Sequence, residues 1–259
     1  IRAALLWTKL EPSDPKANSM AAAALIQEGE TERALPLLET ALANATLETI
    51  DALTERAQKM SPAEHNSYQT LLDQLLATDP AQPKLLFAKA SLKRFENDLN
   101  PALELVQQAL NFDPAFDRAI LLEADLQARS GHLDTALGHL REELNQREHK
   151  QMRTLYTRLL LQKGQFDAAK QQAERLSNQY PEDHNLLFYL AVLMLEHEQI
   201  TLSEAYFNQL VKQFGANSTL HYYLGRIAEH KQQPDAALQH FLQIDDSPYL
   251  IAGLSEIGK

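Results

Sequence analysis

The 259-residue sequence contains no cysteine, which excludes disulfides, zinc–thiolate centres and cysteine nucleophiles and is neutral about compartment. Glycine (8) and proline (11) are sparse and fall mostly at short turns, so no flexible linker or low-complexity tract divides the chain. Apolar runs are short as well. The longest, residues 186–195, is interrupted by Tyr189 and is well below the ~18 residues needed to span a bilayer. Basic residues are outnumbered: 24 Lys and Arg against 35 Asp and Glu give a net charge of −11 and a pI near 5.3. That balance argues against nucleic acid as a partner.

Chemistry-bearing motifs are missing too. There is no glycine-rich strand–turn–helix loop for phosphates and no Gly-x-Ser-x-Gly elbow. His197-Glu198 and Glu229-His230 set a base beside an acid, but sequence neighbours point to different faces of a helix, and no second His follows at i+4. The nine histidines, among them His132, His139, His184, His221 and His240, scatter over turns and helices and read as surface or packing groups. Glu142-Glu143 and Asp245-Asp246 read as solvated or capping carboxylates. No catalytic residue, metal site or cofactor is expected.

What the chain has is an internal repeat. Residues 150–183, KQMRTLYTRLLLQKGQFDAAKQQAERLSNQYPED, read as a helix, a turn at Lys163-Gly164-Gln165, a second helix and a stop at Pro181. With Lys150 as position 1, Thr157 is at position 8, Gly164 at 15, Ala169 at 20, Leu176 at 27 and Pro181 at 32. The same register starts again at Pro15, Thr49, Pro83, Asp117, His184 and Ser218, about 34 residues apart. Positions 8 and 20 are Ala22/Ala34, Ala90/Ala102, Ala124/Ala136, Ala191/Ser203 and Gly225/Ala237 in the other clear units. Small residues there let two backbones approach, while larger ones at 24 and 27, such as Leu38, Phe207, Leu210 and Phe241, fill the gap to the next unit. Glycine at 15 suits a left-handed helix terminus.

The spacing predicts an all-α, right-handed superhelical solenoid of helix–turn–helix repeats. The expected units are 15–48, 49–82, 83–116, 117–149, 150–183, 184–217 and 218–248, in a single array. The unit at 49–82 is degenerate, with Ser61-Pro62 replacing the usual turn. Residues 1–14 and 249–259 read as partial helices. Residues 1–10 resemble a second helix, with Ala3, Trp7 and Leu10 at the 20/24/27 spacing, so the sequence is expected to be a fragment of a longer chain.

These positions resemble the tetratricopeptide repeat (TPR) family over nearly the whole length. The resemblance implies a protein-binding adaptor or scaffold in which positions 2, 5, 9, 12 and 13 of the first helices line an inner groove. Those positions are Lys84, Phe87, Ser91, Arg94 and Phe95; Arg118, Leu121, Asp125, Ala128 and Arg129; Gln151, Thr154, Arg158, Leu161 and Gln162. The last two units add Asn185, Phe188, Val192, Leu195 and Glu196, then Thr219, Tyr222, Arg226, Glu229 and His230. Arginines recur among aromatics in an otherwise acidic chain. Arginine forks hold carboxylates or carbonyls and aromatic rings take apolar side chains, which suits an extended peptide. The alternative is that these arginines are ordinary solvated charges paired with acidic neighbours. The two-carboxylate clamp of chaperone-tail TPR domains, Lys at 5 and Asn at 9, is not matched by Phe87/Ser91, Leu121/Asp125 or Thr154/Arg158.

Three stretches resemble a narrower bacterial group: RTLYTRLLLQKGQFDAAKQQAERLSNQYPEDHNLLFYLAVLMLE, HYYLGRIAEHKQQPDAALQHFLQI and SPYLIAGL. They are similar to outer-membrane TPR lipoproteins of Gram-negative bacteria that bring substrates to a periplasmic carboxyl-terminal processing protease. That resemblance implies a periplasmic adaptor whose partners are the protease and its cell-wall hydrolase substrates. Membrane attachment is then expected only through an N-terminal lipid anchor outside this chain.

Overall fold

In the computed structural model the described residues are 1–28, 30–43 and 61–245. They form fourteen α-helices and no strand: α1 (Arg2–Leu10), α2 (Pro15–Gln27), α3 (Thr31–Ala43), α4 (Pro62–Thr78), α5 (Pro83–Phe95), α6 (Leu99–Phe112) and α7 (Asp117–Arg129). Then come α8 (Leu133–Gln146), α9 (Lys150–Gln162), α10 (Phe166–Gln179), α11 (His184–Glu196), α12 (Ile200–Phe214), α13 (Ser218–His230) and α14 (Pro234–Phe241). The expected features at Gly29, residues 49–60 and residues 249–259 lie outside the described residues. None of the described helices is long and apolar enough to cross a membrane.

The chain divides into two compact units, Ile1–Leu140 and Arg141–Lys259. In the first, α2 packs on α3, α5 on α6 and α6 on α7, so helices pair with their neighbours in sequence. One buried cluster runs from Ala22 and Leu38 through Tyr68, Leu86 and Val106 to Leu126. The exposed end of the α1 stripe differs from a packed second helix: Ala3 is exposed and Leu10 is 73% exposed, while Leu5 packs on the cluster. In the second unit the pairs are α9/α10, α11/α12 and α13/α14.

Within each pair the small residues are at the contact. Ala90 and Ala102, Thr157 and Ala169, Ala191 and Ser203 are all fully buried. Polar members of these pairs bond to backbone. Ser203 Oγ donates to the Ala191 carbonyl across the helix pair at 2.8 Å, and Thr157 Oγ1 donates to the Arg153 carbonyl at 2.8 Å. At positions 24 and 27, Leu38 and Ala41, Val106 and Ala109, Ala173 and Leu176, and Phe207 and Leu210 are at most 1% exposed. A groove of small side chains on one helix, filled by the next, is the ordinary means by which repeats bury a continuous core.

Five turns share one backbone solution. Asn97, Gly131, Gly164, Glu198 and Gln232 all have φ between 57° and 85°. After each, the next N–H bonds five residues back, as in His132 N–H to Gln127 O (2.8 Å), Gln165 to Leu160 (2.9 Å) and Gln199 to Met194 (2.8 Å). This is the Schellman closure, whose C′ residue is left-handed. Glycine adopts it freely, whereas a residue with a Cβ is strained by about 1–2 kcal/mol. Glu198→Gly and Gln232→Gly should therefore raise stability by about 0.5–1 kcal/mol each, and Asn97→Gly by less, because Asn tolerates this region. Urea midpoints measure the effect; a loss on all three would show that the turns carry no strain.

Gly225 faces a different constraint. A Cβ built there lies 2.7 Å from Phe241 Cδ1 and 2.8 Å from Cζ, and Phe241 is buried at 4%. Gly225→Ala would gain about 1 kcal/mol of helix propensity, yet overpacking costs about 1–3 kcal/mol. A net loss is expected, shrinking in the Phe241→Leu background. Equal effects in both backgrounds would place the cause elsewhere.

Candidate functional site

The groove-face positions do not all present themselves to a ligand. In the first unit, Phe87 is buried and packs on Phe116 with ring centroids 5.2 Å apart. Its ring belongs to the core, which corrects its reading as a groove aromatic. Ser91 and Ala128 are also buried, and Ser91 Oγ bonds to the Phe87 carbonyl at 2.9 Å. Lys84 is exposed, and Phe95, Arg118 and Leu121 are half-buried.

The arginines are largely engaged within the chain. Arg94 is 3.6 Å from the Asp125 carboxylate and lies 5.0 Å over the Phe95 ring. The exposed Arg129 reaches Asn97 Oδ1 at 3.4 Å. In the second unit, Arg226 donates to the Tyr222 hydroxyl at 3.1 Å, sits 6.0 Å over that ring, and is 3.6 Å from Glu229. Such pairs between half-exposed groups contribute about 0–1 kcal/mol. They fix side-chain direction more than they stabilise.

Phe188 enters an aromatic cluster rather than standing alone. It makes edge contacts with Phe207 (5.9 Å) and Tyr223 (5.5 Å) and stacks towards His184 at 6.4 Å. Val192 is half-buried one turn on, and Leu161, placed at a groove position by spacing, is buried at 2%.

Two of the expected residues do come together. Between α9 and α11 lies an open pocket of about 460 Å³, a volume in the range of small-ligand and side-chain sites. Thr154 and Arg158 line one side with Gln151 and Leu155, and Asn185, Leu186 and Tyr189 line the other. Spacing explains this: positions 2, 5 and 9 of α9 are one helical face, and position 2 of α11 is the next helix's start. Leu155, Leu186 and Tyr189 provide apolar surface, and the exposed amides of Gln151 and Asn185 can each donate and accept.

The pocket is polar at one end. Lys150 Nζ donates to Asp183 Oδ2 at 2.8 Å and lies 5.4 Å from the centroid of the Tyr180 ring. Asp183 also caps α11, its Oδ1 accepting from the Leu186 N–H at 3.0 Å. The Lys150 bond, then the Leu186 N–H, holds the Asp183 carboxyl below its ordinary range; the same bond raises the Lys150 ammonium. Burial pushes the Tyr189 phenol above its usual value, which the nearby Arg158 charge opposes. Arg158 is thus the cation on the apolar side of the pocket.

Spacing did not reveal Arg153, the residue that steadies α9 behind this pocket. It is 4% exposed. Its Nε donates to Glu148 Oε1 at 2.8 Å, and its Nη atoms reach Glu148 and Gln172. The Arg153 bond holds the Glu148 carboxyl below its ordinary range. The only sequence signal was an arginine at a position that other units fill with Leu86, Ile120 and Leu187.

Among the described residues, no three His, Asp or Glu side chains gather as a metal-binding group. Residues 158–208 and 195–250 match the model of the tetratricopeptide repeat family. A tetratricopeptide repeat protein from Parabacteroides merdae is similar in structure at 16% identity and a TM-score of 0.57, covering 94% of this chain and 98% of that one. PilW, a type IV pilus biogenesis factor, is similar at 14% identity and a TM-score of 0.59, covering 93% and 98%. YrrB, a TPR protein with an unusual peptide-binding site, is similar at 15% identity and a TM-score of 0.51, covering 73% and 98%. No curated protein matches the sequence. The described residues have the all-helical fold of the TPR solenoids, and residues 158–250 carry the match to the TPR family model.

Asp183 separates two effects at the pocket. Asp183→Ala removes both cap and ion pair and should cost about 1 kcal/mol, whereas Asp183→Asn keeps a good cap and should cost only a few tenths. Because the Asp183 carboxyl is lowered, its stabilising contribution is full above the unfolded value near 3.8 and is lost as pH falls through the folded one. Acid unfolding of the two variants against wild type reads this; equal losses for Ala and Asn would assign the effect to the ion pair and not the cap.

Proposed function

We propose that this chain is a non-catalytic protein-binding scaffold that captures an extended peptide segment, with the α9/α11 pocket as its main grip. The observation that carries this reading is the pocket itself: apolar walls from Leu155, Leu186 and Tyr189, two exposed side-chain amides, and the Arg158 guanidinium on one open surface. An apolar side chain fits the walls, backbone amides pair with Gln151 and Asn185, and an acidic group or chain carboxylate meets Arg158. YrrB supports peptide capture as a use of this fold.

The finer assignment rests on the resemblance to LbcA, the outer-membrane lipoprotein adaptor of the carboxyl-terminal processing protease CtpA. In that reading the chain works in the periplasm, held at the outer membrane by an anchor outside the sequence given, and presents cell-wall hydrolases to the protease. The likeness to PilW favours a second reading, a scaffold that holds a cell-envelope assembly together without changing any rate.

The test is protease turnover and binding with the purified chain. An adaptor accelerates cleavage of a cell-wall hydrolase by a carboxyl-terminal processing protease; an assembly scaffold binds stoichiometrically and leaves the rate unchanged. Arg158→Glu should weaken peptide or protein binding about tenfold, which corresponds to about 1.4 kcal/mol, with helicity intact. Lys170→Glu, an exposed site on α10 beside Glu174, is the control. If the control lost as much affinity as Arg158→Glu, the pocket reading would fall.

A further inference from the structure

The second unit contains a pair of imidazoles that the peptide-binding reading does not use. His221 on α13 and His240 on α14 face each other with their Nδ1 atoms 3.2 Å apart and ring centroids 5.5 Å apart. Both rings are half-buried and so remain reachable from solvent. They occupy the point where positions 4 and 23 of a repeat meet. In three other units that point is filled by Leu86 and Leu105, by Arg153 and Gln172, or by Leu187 and Tyr206, and in the unit at 117 by Ile120 and His139. Apolar or hydrogen-bonded pairs therefore satisfy the helix packing, and two imidazoles are not required by the fold.

The geometry points to a two-histidine site for a borderline divalent transition metal such as Zn²⁺, Ni²⁺ or Cu²⁺, ligated through the two Nδ1 atoms. Two nitrogens at about 2.0–2.1 Å from a common ion, in tetrahedral arrangement, lie about 3.3 Å from one another. The observed 3.2 Å is close to that spacing. Imidazole is a ligand these metals favour, whereas Mg²⁺ and Ca²⁺ select oxygen. Solvent completes the coordination, which leaves open positions at which a side chain of a bound protein could become a third ligand. The ion would also tie α13 to α14 at the last described helix pair, where Tyr222 and Phe241 close the core.

Zn²⁺ alone is the probe, added to the metal-free 259-residue chain carrying ¹⁵N-labelled histidine. Long-range proton–nitrogen correlation spectra should show two of the nine imidazoles ligated at Nδ1. Calorimetry should give one ion per chain, and heating curves should shift upward with Zn²⁺. His221→Ala and His240→Ala should each weaken binding about tenfold or more, since loss of even an outer-shell partner costs about 10–100-fold. His230→Ala, an exposed site at the far end of the same helix as His221, should not. The wild-type spectrum stands even where a variant folds poorly. Ligation through Nε2, many weak sites, or equal loss at His230 would make the pair a simple imidazole–imidazole hydrogen bond and overturn the site.

Discussion

The close approach of paired helices at their small-residue contact is the constraint on which the rest depends. Helix axes can come within ~8 Å only where no large side chain intervenes, and Ala90/Ala102, Ala191/Ser203 and Gly225/Ala237 provide that clearance. Once the pair is locked, positions 24 and 27 must bury, and the turn at position 15 has too few residues to avoid a left-handed bond. That is why Glu198 and Gln232 adopt the same conformation as Gly131 and Gly164. The turn conformation is imposed by the packing, and the residue type follows only where glycine happens to be present.

The same packing decides which charges are available. An arginine on a first helix can reach one turn along its own helix or across to the next first helix, and in both units carboxylates, rings or amides wait there. Arg94 with Asp125 and Arg226 with Glu229 show the result: a recurrent cation becomes part of a local network. Arg158 lines the α9/α11 pocket, with Tyr189 and Asn185 across the gap. Its charge therefore meets an apolar wall, which is the combination that recognises a peptide side chain and a carboxylate together.

Where repeats differ from one another is also informative. The contact between positions 4 and 23 is apolar in some units, an Arg153–Gln172 bond backed by Glu148 in another, and a pair of imidazoles in the last described one. Each solution satisfies the same two helices. Chemistry can therefore be varied there without disturbing the fold, in the same way that groove positions vary.

The alternation of helix and turn, the small residues at the helix contacts and the absence of strands among the described residues could all be read from spacing, because each depends on period and side-chain size alone. Thr154 and Arg158 could likewise be placed on one helix face by counting. Burial of Phe87 and Leu161, the capture of Arg94 by Asp125, and the buried Arg153 could not, since they depend on which side chain from another helix fills the space opposite. Periodicity says which face a residue occupies. Only the tertiary arrangement brings α9 against α11 to make a pocket, or His221 against His240 to make a pair, because those distances are set between helices and not along them.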